Sequence, residues 1–362
     1  MGPDPDGLTR LSFQGFRHLL PATLDFANRT NVIYGRNAAG KTSVLETIHF
    51  LARARSFITP RTARLINTHA ESVLVHGAIA SRSGTHRLGV EYGKGHTRVR
   101  LDGRDIQALS ESAWLLPMQV INTEGQRLLT DGPVHRRAFI NWGVFHVEHA
   151  YRDTWRRYQR ALRQRNAALR AGDARLATAW EPEMAVAGSA VDEARRRFLS
   201  ALMERAIAIG HAWLGATTLD WQYRPGWASG QPLESVLKAG REKELKQGFG
   251  LYGPHRADLR LLADGEEAAG RLSRGQQKLL VAALRIALVQ TWIAKGHERP
   301  IVLVDDLPAE LDSRHRANLL SQLQDSGAQL FITAIEPDQL PEITAAGWFH
   351  VEQGRVHRIG DV

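Results

Sequence analysis

The chain has 362 residues, 47 Lys and Arg against 38 Asp and Glu, a net charge of +9 and a pI near 10.1, and 0 Cys. The basic balance points to a polyanionic partner, nucleic acid ahead of an anionic membrane, and the lack of cysteine excludes disulfides and thiolate chemistry. The opening MGPDPDGLTR lacks the apolar core of a secretory signal, and the longest apolar stretch, 279–289, carries Arg285 and is too short to span a bilayer, so a cytoplasmic protein with no membrane partner is expected.

Residues 8–34 alternate as strands, and "KTSVLETIHFLAR" from Lys41 has helical spacing, with Val44, Leu45, Ile48 and Leu51 on one stripe. Between them lies "YGRNAAGKTS". Gly35, Arg36, Asn37, Ala38, Ala39, Gly40, Lys41 and Thr42 fit G-x-x-x-x-G-K-[ST] in the strand–loop–helix context the pattern requires. Glycines allow a turn whose N–H groups converge on phosphate oxygens, and the helix start adds its positive dipole end. Lys41 is expected on the β- and γ-phosphates and Thr42 on Mg²⁺, so a nucleoside triphosphate is the predicted ligand.

Residues 73–101 return to strands, with turns at Gly93-Lys94-Gly95 and Asp102-Gly103. From about 131 to 215 the pattern is helical and Arg-rich, with Gly172 as a break. Within it, 152–170 place Trp155, Tyr158, Leu162 and Leu169 on one stripe and Arg156, Arg160 and Arg163 on another. That second stripe reads either as a solvated face or as a ridge tracking phosphates, and Arg53, Arg55, Arg61 and Arg64 form a second basic candidate. Nothing reads as a base-recognition module, so shape rather than sequence recognition is expected. His255 and Arg256, after Gly253-Pro254, fit a turn or a nucleotide contact equally.

The last third is α/β again: a helix at 275–294, strand 301–304, helix 313–324, strand 329–335, and a hairpin about Gln353-Gly354. At its start, "LSRGQQ" makes Ser273, Gly275 and Gln276 an anion-binding helix N-terminus or a plain cap. Strand 301–304 ends on Asp305 and Asp306. A phosphate loop needs an acid at a neighbouring strand end, so Asp305 is expected to orient the metal and Asp306 to polarise an attacking water. The predicted architecture is an α/β head built from both sequence halves, residues 1–123 and 249–362, around a mostly helical insertion at 124–248.

Loop, helix start and strand-end acids in this order resemble ABC-type ATPases. Further stretches narrow the class: "DGPVHRRAFINWGVFH", "LRQRNAALR", "GLYGPHRADLRL", "LSRGQQKLL" and "DDLPAELD" make the chain similar to the RecF family of bacterial recombination mediators, from residue 8 to about 351. The resemblance implies a weak Mg²⁺-dependent ATPase that dimerises on ATP and binds single-stranded and gapped double-stranded DNA. It would work with RecR and RecO to help load RecA in repair, replication restart and SOS induction. It also implies that Ser273, Gly275 and Gln276 contact ATP held by a second subunit, that 308–312 is a dimer-seam loop, and that Gln119, in "QVINTEG", is a metal-side residue. Asp306 stands where ABC enzymes mostly carry Glu, and no His follows "QLFITA"; both departures point to slow turnover. A transporter ATPase subunit and a short SMC-like structural ATPase are the alternatives, disfavoured by the Arg-rich insertion and by the lack of a long coiled coil.

Overall fold

The computed structural model describes residues 6–106, 109–148, 150–296, 299–306, 312–343 and 346–360. Contacts divide the chain into two compact units, Met1–Glu124 with Trp292–Val362, and Gly125–Thr291.

The first unit contains two six-stranded sheets. In chain order its first part runs β1 (Gly7–Gln14), β2 (Ala22–Asp25), β3 (Thr30–Tyr34), α1 (Lys41–Arg53), β4 (Ser72–Ser81), β5 (Gly84–Gly93), β6 (His96–Leu101), β7 (Arg104–Asp105), α2 (Leu109–Leu115) and β8 (Met118–Ile121). One sheet is antiparallel, ordered β2-β1-β4-β5-β6-β7. Its strands alternate as a one-sided sheet should: on β1, Leu11 and Phe13 are buried while Arg10 and Gln14 are exposed. Lys94 and Asp102 take positive φ before Gly95 and Gly103, the geometry of the tight hairpin turns expected there.

The second unit carries α3 (Arg127–Thr130), α4 (Pro133–Val147), α5 (Tyr151–Arg170), α6 (Ala174–Ala179), α7 (Glu181–Leu214), β9 (Leu219–Arg224), α8 (Leu233–Gln247), β10 (Asp258–Ala263), β11 (Glu266–Glu267), α9 (Ala268–Arg271) and α10 (Arg274–Ile293), whose last residues reach the first unit's segment. The expected boundary at 248 and the observed one at 291 differ for a reason of pairing. β10 joins β9 antiparallel from Asp258↔Arg224 to Ala263↔Leu219, which ties 249–291 to the helical segment. Helix α5 buries Tyr158, Leu162 and Leu169 and exposes Arg156, Arg160 and Arg163. Arg165 instead turns inward, fully buried, with its Nη2 3.0 Å from Glu181 and 2.6 Å from Glu244. A charge there is tolerated only because two carboxylates compensate it.

Returning to the first unit, the chain adds β12 (Ile301–Val304), α11 (Ser313–Asp325), β13 (Gln329–Ala334), β14 (Ala346–Glu352) and β15 (Arg355–Ile359). They complete the second sheet, ordered β15-β14-β3-β13-β12-β8, parallel except for β15. β12 and β13 are buried throughout, as parallel strands covered on both faces must be. Helix α1 packs against β4 and β5 of one sheet and β13 of the other. It is therefore buried nearly all round, Glu46 included, rather than along the single stripe its spacing predicts. Among the described residues no helix is long and apolar enough to cross a membrane.

Candidate functional site

Parallel order β3-β13-β12 brings three strand ends side by side at one edge of the second sheet. β3 delivers the phosphate loop, β12 the two acids, and β13, between them, delivers Thr333. Gly35 has φ 150°, and a Cβ there would stand 2.2 Å from the Val351 carbonyl oxygen, so no side chain fits against β14. Gly40, at φ 120°, caps α1. The Gly354 N–H in the final hairpin donates to Ala39 at 3.0 Å, bracing the loop from the far end of the chain.

Lys41 Nζ donates to the Gly35 and Arg36 carbonyls at 2.7 and 3.0 Å. Burial lowers its pKa, opposed by the nearby charges of Asp306 and Asp305. Thr42 Oγ1 donates to Asp305 Oδ1 at 2.9 Å, joining the phosphate loop to the β12 acid across 263 residues of sequence. Thr333 Oγ1 donates to the same oxygen, also at 2.9 Å, and accepts from the Asp306 N–H at 2.7 Å. Asp306 itself holds a left-handed backbone, φ 56°. Such conformations cost about 1–3 kcal/mol and persist where neighbours enforce them. Burial raises the Asp305 pKa, and the two hydroxyl bonds only partly offset it.

These residues line a cleft of about 410 Å³ with His18, Asn37, Ala38, Gly40, Ser43, Phe57, Ile58, Asn122 and Glu124. Its electrostatics are those of a site designed for countercharge. A desolvated lysine is restored by a polyphosphate and a desolvated carboxylate by a cation. Among the described residues no group of three His, Asp or Glu could hold a metal. A hard cation here would depend on Thr42 and Asp305, with its remaining ligands coming from phosphate and water, which is the usual arrangement for Mg²⁺. Both hydroxyls engage Asp305 Oδ1, and Oδ2 accepts no hydrogen bond among the described residues, so the donor set fits that role.

The sheet register corrects one expectation. Gln119 lies inside β8, 3% exposed and opposite Val302, whereas the cleft is lined by Asn122 and Glu124 beyond the strand end. Gln119 is therefore not among the residues lining the cleft, and Asn122 or Glu124 takes its place as candidate.

A family model for the RecF/RecN/SMC N-terminal domain matches residues 7–357. The DNA replication and repair protein RecF of Thioalkalivibrio sulfidiphilus is 40% identical over 98% of this chain and 99% of that protein. Its namesake from Pseudomonas syringae pv. tomato is 41% identical with the same coverage.

The chain belongs to the RecF family.

Its fold agrees. The solved structure of the recombination mediator protein RecF with ATP in the RecFOR pathway superposes with a TM-score of 0.87 at 22% identity, covering 99% of each chain. An SMC head bound to the C-terminal winged-helix domain of ScpA gives 0.61 at 14% identity, over 98% of this chain and 97% of that one. The fold is thus the ABC-ATPase-like head of the RecF and SMC class.

Other residues singled out by sequence in this RecF-family chain fall as follows. Ser273, Gly275 and Gln276 stand at the exposed or half-exposed start of α10 in the second unit. Ser273 Oγ accepts from the Gln276 N–H at 3.3 Å and Gln276 Oε1 accepts from the Ser273 N–H at 3.0 Å, a reciprocal capping box. Of the 308–312 loop, 308–311 lie outside the described residues, and Asp312 caps α11 by accepting from the His315 N–H at 2.9 Å. Arg55, Arg61 and Arg64 are exposed; Arg53 is half-buried and leaves that patch. Burial lowers the Arg53 pKa to about 10, so it stays charged at neutral pH.

His255 resolves as a structural residue. Its Nε2 lies 3.0 Å from the Gly250 carbonyl, which can only accept, so Nε2 carries the proton and Nδ1 accepts from the Tyr158 hydroxyl at 2.6 Å. Burial lowers its pKa to about 4, keeping it neutral. Arg256 donates to the same carbonyl and lies over Phe249. Asp258 receives Arg136 at 2.7 Å, and the Pro254 carbonyl receives Arg195 at 2.8 Å. The "GPHRAD" segment is therefore a hub of the second unit. Sequence reasoning missed Thr333, His18, Phe57 and Ile58. Thr333, the fifth residue of a strand next to the loop, carried a polar signal within an otherwise apolar run that could have marked it.

Proposed function

We propose that the chain binds Mg²⁺·ATP in this cleft, pairs head to tail on ATP, and acts on gapped or junction DNA as a recombination mediator in replication and repair. The observation that carries this reading is the Thr42–Asp305 contact. A phosphate-loop hydroxyl and a strand-end carboxylate meet beside a desolvated lysine, inside a chain whose relatives are DNA replication and repair proteins. A transporter subunit does not fit a chain matched over 98% of its length by such relatives. The residues divide the work. Loop N–H groups and Lys41 bind and orient the β- and γ-phosphates. Thr42 and Asp305 hold Mg²⁺, which supplies charge neutralisation on the phosphates. Asp306 takes a proton from the attacking water.

Turnover is slow on this reading. Asp306 is one methylene shorter than glutamate, and β13 is followed by Ile335 and Glu336 rather than a histidine. ATP then acts as a timer: two subunits close over two nucleotides, each offering its Ser273 helix start to the other's γ-phosphate, and release after hydrolysis. Arg156, Arg160 and Arg163 on α5 supply phosphate contacts. RecR and RecO join the DNA-bound dimer and RecA is loaded afterwards, in line with the RecFOR pathway named for the solved relative. Light scattering with Mg²⁺ and ATP, ADP or no nucleotide, with and without a gapped duplex, tests the scheme. A dimer only with ATP is expected, and a monomer at saturating Mg²⁺·ATP in both cases would overturn it.

A further inference from the structure

The cleft has two kinds of wall. Loop residues, Asp305, Asp306 and Thr333 form a polar end suited to phosphates, whereas His18, Phe57 and Ile58 form the part that offers rings and aliphatic surface. Ile58 is 46% exposed and lines the cleft beside Phe57. Neither segment carrying these three residues belongs to a helix or strand, so something else must hold them in place.

Helix α1 does so through two side chains one turn apart. The fully buried Glu46 carboxylate accepts from Arg17, through Nε and through Nη2 at 2.9 Å, and from the Ser56 hydroxyl. Arg17 precedes His18 and holds a left-handed backbone, φ 48°, pinned by its N–H to the Leu65 carbonyl at 2.7 Å and by Asn67 on its own carbonyl. Ser56 Oγ in turn accepts from the Ile58 and Thr59 N–H groups, each at 2.9 Å, which folds the chain so that Phe57 and Ile58 meet the cleft. His49 Nδ1 donates to the Arg55 carbonyl at 2.8 Å, and its ring meets Phe57 edge-on at 5.3 Å. A buried carboxylate on a helix that already carries the phosphate-binding lysine is thus engaged wholly in holding both apolar walls.

We propose that Glu46 and His49 are positioning residues that set the nucleoside-facing wall of the cleft, so that the affinity added by the base and sugar depends on them while the affinity for phosphate does not. The inference rests on the nucleotide reading above and specifies which residues shape the nucleoside end. Hydrogen bonds from a guanidinium to a carboxylate are strong and directional, so losing the Ser56 or His49 side of the bracket releases the Phe57–Ile58 part of the wall, whereas His18, whose Nε2 would lie 3.1 Å from a Cβ on Gly40, also packs against the loop. It also explains why a helix buried nearly all round keeps a carboxyl side chain in its middle: an apolar residue at position 46 would pack there but would fix neither Arg17 nor Ser56.

The test is calorimetric titration of the full chain, in Mg²⁺, with ATP and with inorganic tripolyphosphate. Ser56→Ala, Glu46→Gln and His49→Leu should each weaken ATP by about tenfold, the equivalent of one hydrogen bond, and tripolyphosphate by less than about twofold. Ser56→Thr, which keeps the hydroxyl, should retain wild-type ATP affinity. Ser56 is only partly buried, so its variants remain informative even if Glu46→Gln does not fold. Parallel loss on both ligands, or no loss on ATP, overturns the inference while leaving the nucleotide reading standing. A wild-type chain that binds neither ligand defeats that reading and this inference with it.

Discussion

Replacing Thr333 by valine keeps the shape of a fully buried β13 side chain and removes one hydroxyl. That hydroxyl donates to Asp305 and accepts from the Asp306 N–H, so its loss leaves the part-buried Asp306 N–H without its partner and Asp305 Oδ1 with Thr42 alone. A hydrogen bond to a charged group contributes about 1.5–3 kcal/mol and an unpaired buried N–H costs about 1–3 kcal/mol. Part of that is recovered if Asp306 relaxes from its left-handed backbone, where about 1–3 kcal/mol is stored. The net expectation is a destabilisation of about 2–4 kcal/mol in urea unfolding. Relaxation of Asp306 moves its carboxylate, so ATP turnover should fall at least about tenfold while ATP affinity, set mainly by the loop, changes little. Thr333→Ser keeps the hydroxyl and should lose only about 1 kcal/mol for the missing methyl. A valine variant within about 0.5 kcal/mol of wild type, with unchanged turnover, would refute the claim that Thr333 ties the two acids together.

Ser273→Arg should leave ATP affinity within twofold or so of wild type and abolish the ATP-dependent dimer, since a bulky cation blocks a helix start meant for another subunit's phosphate. Because Ser273 also caps α10, Ser273→Ala should cost about 1 kcal/mol of stability yet still dimerise, which separates the two roles. Asp306→Asn should form the dimer and hold it, measured as a dimer that survives for hours after ATP is added; unchanged turnover would remove Asp306 from the role of base. Changing Arg156, Arg160 and Arg163 together to Gln should lower the salt slope of duplex binding by up to about 0.9 per lost phosphate contact, and an identical slope would leave them a solvated face. Stability should fall with acid. His49 and His255 have folded pKa values of about 3 and about 4 against an ordinary 6.5. Each is depressed by burial, so their contribution is complete above pH 6.5 and is lost as pH falls towards 4. Thermal unfolding followed from pH 8 to 4.5 should show this decline, and His255→Gln should make it shallower.

Much of the local backbone pattern around the cleft was readable before any coordinates. A phosphate loop is eight consecutive residues whose function follows from backbone turns and a helix start, so Gly35–Thr42 announced itself. Strand-end acids after "IVLV" and the turns at 94–95, 102–103 and 353–354 were legible for the same reason, since a few adjacent residues determine each. The apolar stripe of Val44, Leu45, Ile48 and Leu51 accounts for only part of the burial of α1, because a helix between two sheets is covered by partners lying far off in sequence. Gln119 failed because the end of β8, and hence which side chain reaches the edge, is set by register against β12.

The loop–acid pairing and the order of secondary-structure elements therefore reside in the residues themselves, through short-range backbone geometry and hydrophobic period. Which distant groups converge was decided by strand order. Only the arrangement β3-β13-β12 makes Thr333 the link between a loop and an acid, and only packing of α1 against Arg17 and Ser56 gives Glu46 its partners. Those contacts join positions far apart in the chain, and no local pattern encodes them, because the free energy that selects them comes from burying whole elements together rather than from neighbouring residues.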